Sequence, residues 1–217
     1  MSNGEELAGI LLKGSVTDAW DYIEKYNHLS NLEIYQDIIT PAMIYVGQLW
    51  ENFEITVADE HLASGVCDFI LARLASKYKS KSEDHDAPKA MFLCLEGEQH
   101  NVGLKMTASL FEEKKWDVKF FGANLPVQYA LKAAKEWEPD VIGLSVSIAT
   151  HLPKLKEYTE VFTYLPKKPT ILVGGRLTSM YNLQTFAANN PLIITNLYEL
   201  NEWISNYQVE GRTNAIN

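Results

Sequence analysis

A chain of 217 residues with 47% hydrophobic side chains can bury one large or two modest cores. Its 28 acidic against 19 basic side chains give a formal charge of -9, which repels a polyanion, so direct nucleic-acid binding is disfavoured. No apolar run is long enough to cross a bilayer, so no membrane association is expected. The opening residues lack the basic and apolar pattern of a secretion signal, and a cytoplasmic protein is expected.

In the first part of the chain apolar residues recur at three- and four-residue steps. They are Leu7, Ile10 and Leu11; Val16, Trp20 and Ile23; Ile34, Ile38, Ile39 and Ile44; and Leu62, Val66, Phe69, Ile70 and Leu74. Gly14, Asn27, Asn31 and Asn52 punctuate this pattern, which predicts a bundle of four or five helices over residues 1–79. Pro41 fits a first helical turn or a kink, with one helix running from it to Trp50. Thr56 with Asp59 three residues on is a capping-box variant, and it sets Glu60 and His61 in the opening turns of the next helix. Residues 80–89 carry charge, turn formers and Pro88 without periodicity, and read as a linker that includes a solvated His85.

From residue 90 onward short apolar runs alternate with amphipathic stretches. Strands are predicted at 90–95, 118–121, 141–145, 170–173 and 192–195, with helices at 104–114, 127–137, 152–164, 178–188 and 197–207. Strict alternation implies an α/β fold: a flavodoxin-like, Rossmann-type parallel sheet of five strands covered on both faces. Ligands of such sheets bind outside the carboxyl ends of the strands, here the loops 96–103, 122–126, 146–150 and 174–176. Cys67 and Cys94 fall in apolar segments and read as buried thiols.

Glu98 and His100 stand two apart on the first of these loops. At this spacing a carboxylate can accept from one ring nitrogen and turn the other outward toward a metal; the alternative is a solvated loop. Gly103 and the pair Gly174-Gly175 leave room for a large ligand, although a Gly-Gly pair also suits an ordinary strand-to-helix turn. The chain has no phosphate-binding loop of the G-x-x-x-x-G-K-[ST] type, no G-x-G-x-x-G after the first strand, no C-x-x-C and no G-x-S-x-G nucleophile elbow.

Glu98-x-His100-x-x-Gly103, Gly122-Ala-Asn-Leu-Pro126, Gly143-Leu-Ser145-Val-Ser147 and Gly174-Gly175, in this order, resemble the cobalamin-binding domain, whose pattern is D-x-H-x-x-G, S-x-L and G-G. The resemblance implies that His100 is the lower axial ligand to cobalt in place of the cofactor's own dimethylbenzimidazole. It also implies that the displaced nucleotide tail passes Gly103, Ser145, Ser147, Gly174 and Gly175. Glu98 stands where the family has aspartate, and Ser147 where it has leucine. His151 is a further candidate contact to the tail, with a solvated helix-start histidine as the alternative, and Arg176 suits a surface carboxylate as well as a phosphate of the tail.

In the first part of the chain, Trp50, Glu60 and His61 meet the W-x9-E-H signature of the light-sensing adenosylcobalamin regulators of the CarH type. That resemblance implies a helical cap over the upper corrin face. Trp50 lies beside the adenosyl group, Glu60 on its ribose hydroxyls, and His61 takes cobalt once light has released the adenosyl group. A core tryptophan and a solvated helix start are the alternatives. The regulators carry a helix-turn-helix domain before the cap, whereas this chain starts at the cap's first helix, so a light signal is expected to leave through self-association or a protein signalling partner.

The expected cofactor is adenosylcobalamin, with methylcobalamin as the alternative. The expected function is a non-enzymatic light sensor. A corrinoid methyl carrier of a methyltransferase system is the alternative, and a cobalamin store the third reading.

Overall fold

A computed structural model of the chain describes residues 3–77 and 86–207, so the expected linker and its His85 lie mostly outside the described residues. The chain divides into two compact units, Met1–Lys79 and Ser80–Asn217. No described helix is long and apolar enough to cross a membrane.

The first unit is helical. Helix α1 (Asn3–Leu11) is followed by α2 (Val16–Glu24), whose Ser15 cap accepts from the Asp18 N–H. A continuous rod then runs through α3 (Asn31–Glu33), a π-helical segment Ile34–Ile39 and α4 (Thr40–Glu51). Asn31, expected as an interruption, instead opens this rod, because Ser30 and Glu33 close a capping box in front of it. Pro41 does not break it either. The wider π turn ahead of Pro41 sends the Thr40 N–H back to the Tyr35 carbonyl, and the Thr40 hydroxyl donates to the same oxygen at 2.8 Å.

Helix α5 (Val57–Ser76) starts at the Thr56–Asp59 capping box expected from the sequence. Leu7, Leu11, Ile23, Tyr35, Ile38, Ile39, Ile70 and Leu74 form the buried interior of this unit.

The second unit is the predicted parallel sheet. Its strands are β1 (Lys89–Cys94), β2 (Asp117–Gly122), β3 (Val141–Ser145), β4 (Thr170–Gly174) and β5 (Leu192–Ile193), in the order β2-β1-β3-β4-β5. Helices α6 (Val102–Glu113), α7 (Val127–Trp137) and α8 (Leu152–Thr163) connect β1 through β4, and α9 (Leu197–Asn206) follows β5. The strand order reverses between β1 and β3, whose ends pair as Cys94 with Ser145 while Ser145 pairs with Gly174.

Strands β1 and β3 are buried almost throughout, which is why they read as unbroken apolar runs. Gly143 is structural: a Cβ there would run into the ring of Phe92, which packs edge-on against Phe111.

The helix expected at 178–188 is instead two 3-10 turns, Arg176–Ser179 and Leu183–Phe186. Its short polar side chains hold the backbone in turns: the hydroxyls of Thr178, Ser179 and Thr185 donate to the carbonyls of Gly175, Arg176 and Asn182. Strand β5 is shorter than predicted because Glu199 takes the N–H and hydroxyl of Thr195 into the start of α9.

Candidate functional site

The loop leaving β1 carries Glu98 at zero solvent exposure. Two neighbouring segments hold the loop. The Glu96 N–H donates to the Tyr158 hydroxyl at 3.1 Å, and the Gly97 N–H to Asn124 Oδ1 at 2.7 Å. The Asn124 N–H donates to the Glu98 carbonyl at 2.9 Å. Asn124 belongs to the Gly122–Pro126 motif, and the left-handed φ values of Gly122 and Asn124 turn it back over β1.

Five donors converge on the Glu98 carboxylate. Oε1 accepts from His100 Nδ1 at 2.6 Å and the His100 N–H at 3.0 Å. Oε2 accepts from the Ser147 N–H at 2.8 Å, the Ile148 N–H at 3.1 Å and His151 Nδ1 at 3.3 Å. Burial by itself pushes this carboxyl upward, but the donors of His100, Ser147 and His151 outweigh it and hold the group down at about 2. Glu98 is therefore a buried anion at neutral pH, and an anionic carboxylate only accepts.

That fixes the tautomer of His100. Its Nδ1 carries the proton, so Nε2 carries the lone pair, on a ring whose side chain is 51% exposed. The arrangement is the one in which a carboxylate orients a metal-ligating imidazole and raises its basicity. Among the described residues no three His, Cys, Asp or Glu side chains gather as a metal cage. Cys94 donates to the His100 carbonyl at 3.6 Å. Burial and the Glu98 charge push its thiol up to about 12, against the opposing hydrogen bond of Ser145, so it stays protonated.

The glycines separate into two kinds. Gly175 is required by the fold: its φ is 111° and a Cβ would strike the Val146 carbonyl. Gly103, at the start of α6, has nothing within 4 Å of a Cβ position, and Gly174 meets only the Ile194 carbonyl at 4.0 Å. Packing within the chain does not require glycine at these two positions. An oriented imidazole beside two open glycine positions at the sheet's carboxyl edge fits a large planar metal cofactor. Ser145 is buried at the end of β3, and Ser147 reaches Glu98 through its backbone N–H.

In the helical unit Trp50 lies exposed near the end of α4, while Glu60 and His61 occupy the first turns of α5. Glu60 accepts from the Ser64 hydroxyl at 2.8 Å. His61 Nδ1 faces two acceptors, the Val57 carbonyl at 2.9 Å and Glu60 Oε2 at 2.9 Å, so it too carries its proton on Nδ1. Its side chain is 76% exposed.

The residue that local patterning could not connect to this centre is His151. It sits in a 3-10 turn, Ala149–His151, and reaches Glu98 across 53 positions of sequence.

Known proteins align with this architecture. Two B12 binding domain models match the chain, one over residues 88–195 and one over residues 4–75. The HTH-type transcriptional repressor CarH of Myxococcus xanthus is 28% identical over 153 residues, covering 68% of this chain and 48% of the repressor. A corrinoid protein of Desulfitobacterium hafniense is 27% identical over 158 residues, covering 70% of this chain and 72% of that protein. The chain thus spans about half the length of the repressor. The monomethylamine corrinoid protein of Methanosarcina barkeri has the same fold, with a TM-score of 0.75 at 14% identity, covering 91% of this chain and 94% of that one.

Proposed function

Because the chain belongs to the B12 binding domain family, whose cofactor is cobalamin, we propose that it works as an adenosylcobalamin-binding light sensor. The observation that carries the reading is the pair of imidazoles, His100 and His61, each held in the Nδ1–H form, which leaves Nε2 as the nitrogen that would bind a metal. When bound, adenosylcobalamin supplies a cobalt–carbon bond that visible light breaks.

His100 would hold cobalt, with Glu98 fixing its ring and raising its basicity. Gly103, Gly174 and Gly175, with Ser145 and Ser147, would make room for the nucleotide tail. In the helical unit Trp50 offers a flat apolar surface to the adenosyl group and Glu60 an acceptor to its ribose hydroxyls. His61 would supply a second nitrogen donor to cobalt. The signal passes to a second copy of the chain or to a protein partner.

A corrinoid methyl carrier is the second reading, favoured by the alignment with a corrinoid protein over 72% of its length. Its cofactor would be methylcobalamin, and His61 would have no part in methyl transfer.

The two are separated by loading the purified chain with adenosylcobalamin in the dark and recording its absorption spectrum and elution volume before and after green light. A sensor changes both, and His61→Ala still loads but forms no stable photoproduct. Identical profiles before and after light overturn the sensor reading.

A further inference from the structure

Helix α5 is apolar on more sides than its own fold uses. Val66, Ile70 and Leu74 lie on its buried side. On the other side Ala58, Leu62, Gly65, Phe69, Ala72 and Ser76 are all exposed, in alternating steps of four and three residues. That is the spacing of a seam along which two helices pack. Leu62 and Phe69 are 47% and 48% exposed, on a stripe with no charged member. Between them Gly65 has nothing within 4 Å of a Cβ position, so packing within the chain gives no reason for a glycine that weakens the middle of a helix.

We propose that this stripe pairs the chain with a second copy of itself, α5 against α5 in antiparallel sense about a twofold axis near Cys67. At that register Phe69 of each copy meets Gly65 of the other, Leu62 meets Ala72 and Ala58 meets Ser76, so every large side chain faces a small one. Parallel pairing would set phenylalanine on phenylalanine and leave the two glycines across a gap. Charge selects the same sense. Asp59 lies in the first turn of α5 and Arg73 in the last, two seven-residue repeats apart and therefore on the same flank of the stripe. Antiparallel pairing brings the acid of each copy beside the base of the other at both ends. Both side chains are held in place, Asp59 by the Thr56 N–H at 2.8 Å and Arg73 over the Trp20 ring at 3.9 Å from its centroid. Asp68, the charged residue nearest the middle, has its Oδ1 buried within its own copy. One helix from each copy makes less than the roughly 1,600 Å² of a standard interface, so the pair is expected to form and separate with concentration. The inference goes beyond the cofactor reading and does not need it, because the cofactor-free chain is expected to pair in the dark.

Sedimentation of the full cofactor-free chain over a concentration series, in the dark, tests this. The wild type is expected to move from the mass of one copy to the mass of two as concentration rises. Gly65→Gln fills the seat of the other copy's Phe69 and replaces glycine with a better helix former, in space that is empty within its own copy. It is expected to stay monomeric, with a thermal midpoint at or above that of the wild type. Phe69→Gln removes the large side chain from an exposed position and is expected to stay monomeric as well. A spin label on Lys77→Cys reads the sense of pairing, since Cys67 and Cys94 are buried. The helical rise places two such labels about 30 Å apart in the antiparallel pair and about 10 Å apart in a parallel one. A wild type that is monomeric at every concentration overturns the proposal. So does a Gly65→Gln chain that pairs as well as the wild type, or a label separation near the parallel value. If Gly65→Gln lowers the thermal midpoint, Phe69→Gln decides alone, and pairing retained in it overturns the proposal. A chain that takes up no cobalamin overturns the function proposed above instead and leaves these masses to report on α5.

Discussion

A carboxylate without solvent exposure stays charged at position 98 because five donors from three segments meet it, and their sum exceeds the cost of burial. The sign of the linkage follows. The folded carboxyl titrates at about 2, below its ordinary 4.5, so it contributes stability that is present above pH 4.5 and lost as pH falls toward 2. Acid unfolding of the cofactor-free chain, followed by circular dichroism, should show that loss. Glu98→Gln should flatten the profile over the same window and lower stability at neutral pH by about 1–3 kcal/mol, because an amide NH2 must face donors. Superimposable acid profiles of the two chains would contradict this.

The Glu98–His100 pair was legible because both members sit on one short loop. The rest of the cluster was not. Ser147 and Ile148 contribute backbone N–H groups, which any residue supplies, and His151 comes from beyond two helices and two strands.

At the scale of elements, the local signals that worked were those with a complete stereochemical reason. Thr56 and Asp59 close a capping box in which the Thr56 hydroxyl takes the Asp59 N–H at 3.3 Å and the Asp59 carboxylate takes the Thr56 N–H at 2.8 Å. Its loss in Thr56→Ala should destabilise the fold by about 1 kcal/mol, read as a lower urea midpoint with an unchanged slope; an unchanged midpoint would show that the cap does not hold α5. Glu60 and His61 follow directly on this cap, so α5 begins where their positions require it to begin.

Signals failed where periodicity was not the deciding force. Leu177 and Leu183 are buried and mimic the core face of a helix over 178–188, but the hydroxyls around them satisfy the backbone in turns. Pro41, by contrast, stands in the first turn of α4 as its sequence context predicts, and what periodicity did not reveal is the π-helical segment that joins α4 to the residues before it.

At the scale of the whole molecule, the order of strands carries the most information. Alternation of apolar runs with amphipathic stretches is enough to derive a parallel sheet, and the sheet's order reverses between β1 and β3, where the loops of Glu98 and Ser147 meet. The sheet unit thus holds the Glu98–His100–His151 cluster by itself, while Trp50, Glu60 and His61 belong to the helical unit. Family membership follows from models that match both units, but the proposed choice between sensor and carrier rests on three side chains, because the chain aligns with a transcriptional repressor and with a corrinoid protein alike.

The central claim is that His100 holds cobalt. Electron paramagnetic resonance of the chain loaded with the paramagnetic cobalt(II) form of cobalamin tests it, with the protein labelled with nitrogen-15 at its histidines only. Coordination by His100 predicts that the threefold nitrogen splitting of the unlabelled complex becomes twofold on labelling and is lost in His100→Ala. A threefold splitting that survives the label would show that the cofactor's own base remains on the metal, and would contradict the account.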